Sequence, residues 1–151
     1  RIGSAGAYTE TLKLFDLVLA DSAWSESTFA KAQADVDGDI QTPSAELNAE
    51  IEAAAARVNK PLTKARIHSS DVFYHEDNVD GHREFFEKHG CVCVEMESFA
   101  LFHNAKILNK RAACLLTISD SLVTHAETTA QERQTSFHDM MLVALETAVA
   151  L

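Results

Sequence analysis

Strand-like and helix-like stretches alternate along the chain. Four segments have the length and composition of strands in a mostly buried sheet: residues 14–20, 64–69, 91–95 and 112–118. Helical stretches separate them: residues 42–58 with Pro43 in the first turn, a segment with Phe85 and Phe86 that ends at Gly90, and residues 98–108. This order predicts an α/β protein in which helices cover both faces of a central mixed, largely parallel sheet, a three-layer α/β/α arrangement.

The beginning, the middle and the end of the chain add to this pattern. Arg1-Ile2-Gly3-Ser4-Ala5-Gly6 is typical of the end of a buried strand that enters a glycine turn, so we expect a missing upstream part of the fold. Residues 21–41 have no clear period and predict an irregular excursion. Thr129-Ala130-Gln131-Glu132 is a capping box, which predicts one final helix. Without repeats or linkers, residues 1–151 form a single predicted domain.

The composition excludes several classes of function. Of the 151 residues, 46% are hydrophobic and 24% are charged, as in folded globular proteins. The net charge of -10 disfavours binding to nucleic acids and anionic membranes. Since no apolar run approaches the roughly 20 residues of a membrane-spanning helix and the start is not a signal peptide, we predict a cytoplasmic protein with reduced, buried cysteines.

Polar residues after the predicted strands are the first candidates for a site, because α/β sheets bind ligands there. In the glycine turn, the guanidinium of Arg1, the backbone of Gly3 and the hydroxyl of Ser4 suit a phosphate, although a plain turn is the alternative. Phe73 and Tyr74 lie in a predicted loop, where either ring offers a stacking face to a planar ligand or packs over the sheet edge.

Carboxylates follow two further strands. Glu95 and Glu97 lie two residues apart, and one of them suits the paired hydroxyls of a ribose; alternatively, one pairs with a cation and the other is solvated. Asp120 follows an apolar run, where burial favours the protonated form that a general acid requires. Arg133 is placed to stabilise the carboxylate once the proton leaves, but an Asp in this position is also a common cap or turn residue.

Four histidines are spaced by seven residues: His68, His75, His82 and His89. They span a predicted strand, loop and helix, so they share no common face. We therefore predict no metal site.

Three stretches together resemble the hexameric, bacterial-type purine nucleoside phosphorylases of the nucleoside phosphorylase superfamily. They are Arg1-Ile2-Gly3-Ser4-Ala5-Gly6-Ala7, Val94-Glu95-Met96-Glu97-Ser98, and Thr117-Ile118-Ser119-Asp120 leading into residues 127–135. Their order and spacing match those of the family over nearly the whole chain. The resemblance therefore implies that this chain is the C-terminal catalytic portion of such an enzyme.

The resemblance implies phosphorolysis of purine nucleosides to a free base and ribose 1-phosphate. Asp120 is expected to protonate N7 of the purine with the help of Arg133, while phosphate captures C1′. The other expected contacts are phosphate with Arg1, Gly3 and Ser4, ribose with Met96 and Glu97, and the base with Gly6, Phe73, Val94 and Ser119. Inorganic phosphate is a co-substrate, no cofactor is implied, and the expected assembly is a homohexamer acting in purine salvage.

The chain departs from the family pattern at Thr28-Phe29-Ala30-Lys31-Ala32-Gln33, where a basic segment is usual, and at Ser121, where a His is common. Uridine phosphorylases share the Glu95-Met96-Glu97 stretch but lack the purine-site Asp. Methylthioadenosine nucleosidases use an equivalent Asp but activate water. These two activities, and an inactive fragment that serves only in binding or assembly, are the alternatives.

Overall fold

The computed structural model describes residues 1–73, 81–135 and 137–151. In these ranges the strands are β1 (Ile2–Ala7), β2 (Leu17–Trp24), β3 (Ile40–Gln41), β4 (Leu62–Ser69), β5 (Cys93–Glu95) and β6 (Leu115–Ser121). The helices are α1 (Phe29–Ala34), α2 (Ala45–Arg57), α3 (Gly81–His89), α4 (Ser98–Ile107), α5 (Ala130–Thr135) and α6 (His138–Ala150).

The strands form one mixed sheet in the order β3-β2-β4-β5-β1-β6. Its longest pairings, β2 with β4 and β1 with β6, are parallel, whereas β1 runs antiparallel to β5 and β2 antiparallel to β3. The start of β2 also pairs with β6, so the sheet curls until these two strands meet. The predicted α/β fold with a mixed, largely parallel sheet is confirmed.

Alternate residues of β2 face two different helical layers. Leu17 and Leu19 belong to a cluster with Ile51 of α2 and Met140 and Val143 of α6. Their neighbours in sequence face the other way, because successive side chains of a strand point to opposite faces. Those neighbours, Val18 and Ala20, pack in the cluster that contains Phe99 and Phe102 of α4. Both faces of the sheet are therefore covered by helices.

The predicted glycine turn at the start of the chain is wrong, as β1 continues through Gly3 and Gly6 to Ala7. The irregular excursion predicted for residues 21–41 is also wrong. There β2 runs on to Trp24, followed by α1 and β3. The register of β2 against β4 shifts between Ala20 and Ser22, which leaves Asp21 as an extra, exposed residue. This bulge places the charged Asp21 within an apolar run and interrupts the alternation of side chains. The part of β2 after Asp21 therefore could not be predicted from periodicity.

Helix boundaries differ from the prediction in two places. The N-cap of α2 is Ser44, whose Oγ accepts the Leu47 N–H at 3.3 Å, so the helix begins later than Pro43. The final helix is divided, since α5 ends at Thr135 and α6 begins at His138. The other two predicted signals are confirmed: Thr129 and Glu132 cap each other's backbone N–H, and Gly90 follows α3 with φ of 70°.

The three cysteines are buried and unpaired, as predicted. Burial raises the pKa of Cys91 to about 12 and that of Cys114 to about 11, so both stay as thiols at neutral pH. Among the described residues, none of the helices is long and apolar enough to cross a membrane.

Candidate active site

A cavity of about 400 Å³ lies between β1, β6 and the connection from β5 to α4. Most of the predicted site residues line it: Arg1, Ser4, Gly6, Phe73, Val94, Met96, Glu97, Ser119 and Asp120. The remaining lining residues are Ala5, Tyr8, Val72, Glu95 and Leu122. The fold thus brings together four stretches that are far apart in the sequence. Gly3 and Arg133 lie outside the lining.

Gly6 forms the floor of the cavity between two strands. In the register of the sheet it lies opposite Val94 on β5 and opposite Asp120 on β6. A Cβ atom at this position would lie 2.6 Å from Leu122 Cδ1 and 2.9 Å from Asp120 Oδ2. Both distances are shorter than a van der Waals contact, so only glycine fits beside the carboxylate as it stands.

Asp120 lies within β6, whereas the sequence had predicted it after the strand. Ala5 pairs with Ile118 and Gly6 pairs with Asp120, so Ser119 is an extra residue on β6. The Ser119 hydroxyl donates a hydrogen bond to Asp120 Oδ1 at 2.6 Å. Asp120 itself is half-buried at the cavity wall. One of its oxygens is thus oriented by a neighbour, and the other lies beside Gly6.

Arg133 is anchored behind this strand. Its Nε and Nη2 donate to the Thr128 carbonyl at 3.2 and 3.0 Å. Thr128 in turn donates its hydroxyl to the Ser119 carbonyl at 2.9 Å. Arg133 is therefore linked to the strand of Asp120 through Thr128, and its assistance to the acid stays a prediction.

Arg1 joins the two carboxylates that the sequence could not tell apart. Its Nε donates to Glu95 Oε2 at 2.9 Å, and its Nη2 forms an ion pair with Glu97. The side chain of Glu95 is only 1% exposed and also accepts the N–H groups of Glu97 and Ser98 at 3.0 Å. The side chain of Glu97 is 59% exposed. Glu95 is thus the fixed support of Arg1 and of the start of α4, and Glu97 is the one free to meet a ligand.

Gly3 gives the Arg1 guanidinium its room. A Cβ at position 3 would lie 3.1 Å from Arg1 Nη2, which is tighter than an ordinary contact. The absence of a side chain at Gly3 therefore allows the Arg1 guanidinium to occupy its observed position. Whether its backbone also binds phosphate stays a prediction, as does the phosphate-binding role of Ser4.

Tyr8, Val72 and Phe73 form another part of the cavity wall. Tyr74, the second predicted stacking residue, lies outside the described residues. The Tyr8 hydroxyl lies 2.8 Å from His68 Nδ1, and His68 Nε2 lies 2.7 Å from Glu26 Oε2. The sequence pointed to His68 only through its spacing to other histidines, and neither Tyr8 nor Glu26 carried a signal.

The charges of this wall are set by its surroundings. Burial, with the nearby Cys91 and Cys93, raises the pKa of Tyr8. Burial also acts to raise the pKa of Glu26, but hydrogen bonds from His68 and from the Asp71 N–H outweigh it and lower that pKa to about 2. Tyr8 is therefore a neutral phenol and Glu26 an ionised carboxylate at neutral pH.

In the described part of the chain, no three His, Cys, Asp or Glu side chains are grouped to hold a metal ion. Of the four evenly spaced histidines, His75 lies outside the described residues. His89 stacks on Trp24 with a centroid distance of 3.9 Å.

Comparison with known proteins identifies the family. The sequence model of the phosphorylase superfamily matches residues 1–151. The chain belongs to the phosphorylase superfamily. It is 40% identical over 153 residues to the DeoD-type purine nucleoside phosphorylase of Mycoplasma pneumoniae, covering 100% of this chain and 63% of that protein. It is 36% identical over 151 residues to the enzyme of the same name from Dichelobacter nodosus, again covering 100% and 63%.

A solved phosphorylase shares the fold. The crystal structure of purine nucleoside phosphorylase from Toxoplasma gondii in complex with immucillin-H superposes with a TM-score of 0.83 at 16% identity, covering 97% of this chain and 60% of that one. The predicted resemblance to bacterial-type purine nucleoside phosphorylases is thereby confirmed. The chain spans about 63% of the length of the curated relatives it matches.

Proposed function

We propose that this phosphorylase-superfamily member cleaves purine ribonucleosides and deoxyribonucleosides with inorganic phosphate, releasing the purine base and pentose 1-phosphate. One observation carries the proposal: Asp120, Glu97 and Arg1 line the same cavity. They supply an acid for a leaving base, a carboxylate for sugar hydroxyls and a guanidinium for an anion. The names of the relatives at 36–40% identity support the same reaction.

The base leaves with the electrons of its bond to C1′. As this bond breaks, negative charge builds up in the purine ring, and the carboxyl of Asp120 transfers its proton to N7. The Ser119 hydroxyl, 2.6 Å from Oδ1, orients the carboxyl and helps to stabilise the carboxylate that remains. Val94 and Phe73 line the space for the ring, and Arg133 supports the strand of the acid through Thr128.

The sugar and phosphate contacts require one exchange of partners. Without ligands, Arg1 and Glu97 form an ion pair with each other. When phosphate binds, the Arg1 fork and the Ser4 hydroxyl turn to it, and Glu97 is released to accept hydrogen bonds from the ribose hydroxyls beside Met96. Glu95 keeps its bond to Arg1 Nε throughout. A phosphate oxygen then forms the new bond to C1′.

The assay compares inosine, adenosine, uridine and methylthioadenosine, each with and without phosphate, and follows the released base by chromatography. We expect release of purine bases that depends on phosphate. Asp120→Asn is the negative control. Cleavage of purine nucleosides without phosphate would support a nucleosidase, and preferred cleavage of uridine would support a uridine phosphorylase. Nucleoside binding without any cleavage would reduce the protein to a binding module.

We also propose a cytoplasmic homo-oligomer, with the hexamer of the bacterial-type enzymes as the expected state. Light scattering during gel filtration measures it directly, because a hexamer has six times the 16.6 kDa mass of this chain. A monomeric mass would contradict this part of the proposal while leaving the reaction open to the assay above.

A further inference from the structure

A hydrogen-bonded chain of three side chains lies behind one wall of the cavity. Tyr8 lines the cavity and is 5% exposed, and its hydroxyl bonds to His68, which is fully buried. His68 continues the chain to Glu26. The rings of Trp24 and Phe85 lie against the imidazole, with centroid distances of 5.1 and 4.2 Å. The imidazole is thus held by ring packing as well as by its two hydrogen bonds.

Glu26 also holds the segment that forms the rest of this wall. Its Oε1 accepts the Asp71 N–H at 2.9 Å and the Ser70 hydroxyl at 3.0 Å. Val72 and Phe73, which line the cavity, follow directly in the chain. One oxygen of the Glu26 carboxylate therefore bonds to His68, which holds Tyr8. The other oxygen bonds to Ser70 and Asp71, which precede Phe73 in the sequence.

The proton positions among Tyr8, His68 and Glu26 follow from the groups that bond to Glu26. The Asp71 N–H can only donate, and an ionised Glu26 can only accept. His68 Nε2 must therefore carry the hydrogen that faces Glu26, and in the neutral ring Nδ1 is then the acceptor for the Tyr8 hydroxyl. The single hydrogen of Tyr8 is committed to His68, so the phenol ring has one fixed position at the cavity.

We propose that Glu26 is a positioning residue for the base: through His68 and Tyr8, and through Ser70 and Asp71, it fixes the wall of the cavity against which a planar purine packs. This inference rests on the proposed function, since the cavity is the predicted base site. It explains why a carboxylate, with two acceptor oxygens, occupies this position behind the cavity.

Glu26→Gln tests the proposal with little change in shape. A glutamine side chain has one acceptor oxygen and one donor nitrogen, so when its oxygen accepts the Asp71 N–H its nitrogen faces His68 Nε2. Nε2 must then lose its hydrogen, and the hydrogen bond between His68 Nδ1 and the Tyr8 hydroxyl reverses. We expect the KM for inosine to rise about tenfold while kcat and the KM for phosphate stay within about twofold. The reason is that contacts to the base are made equally in the ground state and the transition state.

Asp39→Asn is the matched control. Asp39 is an exposed carboxylate whose Oδ2 accepts the Trp24 Nε1–H at 2.8 Å in the same ring cluster, but it does not line the cavity. It should leave all three kinetic constants unchanged. Tyr8→Phe removes a single hydroxyl and keeps the ring, so it gives the same pattern with a smaller rise in KM and covers the case in which Glu26→Gln folds poorly.

Three results would overturn the proposal: an unchanged KM for inosine in Glu26→Gln and Tyr8→Phe, equal increases of the KM for inosine and phosphate, or a loss of kcat alone. Inactive wild-type protein would instead refute the proposed function. In that case, hypoxanthine binding, measured by the fluorescence of Trp24, tests the positioning role of Glu26 separately. Weaker binding to Glu26→Gln than to Asp39→Asn supports the positioning role, whereas equal binding, or none to the wild type, refutes it.

Discussion

Replacing Gly6 by alanine tests the geometry around Asp120, the proposed acid, directly. The added methyl group would lie 2.6 Å from Leu122 Cδ1, 2.9 Å from Asp120 Oδ2 and 3.5 Å from Val94 Cγ1. The contact with Val94 is ordinary, but carbon atoms pack best at about 3.5–4.0 Å, so Leu122 must retreat by about 1 Å. The Asp120 carboxylate must also give way.

The two displaced groups differ in their consequences. Leu122 Cδ1 is the end of a half-buried, flexible side chain, so its retreat costs about 1–3 kcal/mol, as overpacking usually does. The Asp120 carboxyl group is held by Ser119 at 2.6 Å, and in the proposed reaction its displacement would move the donated proton away from the base. Since a misplacement of about 1 Å costs about 100-fold in rate, we expect kcat for inosine to fall about 100-fold in a folded protein.

Steady-state kinetics and urea unfolding separate the two effects. Gly3→Ala is the matched control, because it makes the same chemical change on the same strand but presses on the Arg1 guanidinium at 3.1 Å. It should raise the KM for phosphate and leave kcat nearly unchanged. Normal kcat in Gly6→Ala, or the same kinetic change in both variants, would refute the steric reasoning.

Three further predictions concern the carboxylates of the site. Asp120→Asn should lower kcat for purine nucleosides by about 100-fold to 10,000-fold with little change in KM, and unchanged turnover would remove Asp120 from the role of acid. Glu95→Gln should raise the KM for phosphate about tenfold and lower the free energy of unfolding by about 1–3 kcal/mol, because a buried acceptor of several hydrogen bonds is weakened; denaturation and kinetics measure both. Glu26 has its pKa lowered to about 2 in the folded protein, so it stabilises the fold above its ordinary pKa of about 4.3, and this stability is lost as the pH falls toward 2. The free energy of unfolding should therefore fall less steeply from pH 5 to pH 3 in Glu26→Gln than in the wild type, and equal slopes would contradict the assignment.

The layered fold could be predicted because its signals are local. The capping box at Thr129 and Glu132 and the cap glycine Gly90 each depend on a few neighbouring residues, and each is present in the structure. The buried strand β6 gave an equally clear apolar run. Apolar runs and helix caps depend on residues that are close in sequence, so they can be recognised from the sequence alone.

The errors arose where tertiary contacts override a local signal. Gly3 and Gly6 suggested a turn, but each lies in a strand where a side chain of another residue needs the space. The sequence left open which of Glu95 and Glu97 pairs with a cation, because the burial of Glu95 depends on Arg1 and on the N–H groups of α4. The decisive partner of Gly6 is Asp120 and that of Glu95 is Arg1, and both partners are distant in sequence. The resemblance to a family supplied the site residues that spacing alone left undecided.

The position of Asp120 shows most clearly what a pattern of side chains does not encode. With regular pairing after Ala5 and Ile118, Gly6 would face Ser119, and the carboxylate would lie one residue further along the strand. The extra residue on β6 instead brings Asp120 opposite Gly6, because a bulge shifts the register and changes the direction of the side chains that follow. The Ser119 hydroxyl at this bulge lies 2.6 Å from Asp120 Oδ1 and 3.4 Å from the Ala5 carbonyl, so its shorter hydrogen bond holds Oδ1. Both the place and the orientation of the Asp120 carboxyl group therefore depend on one irregularity of the backbone, and Gly6 provides the space that this carboxyl group occupies.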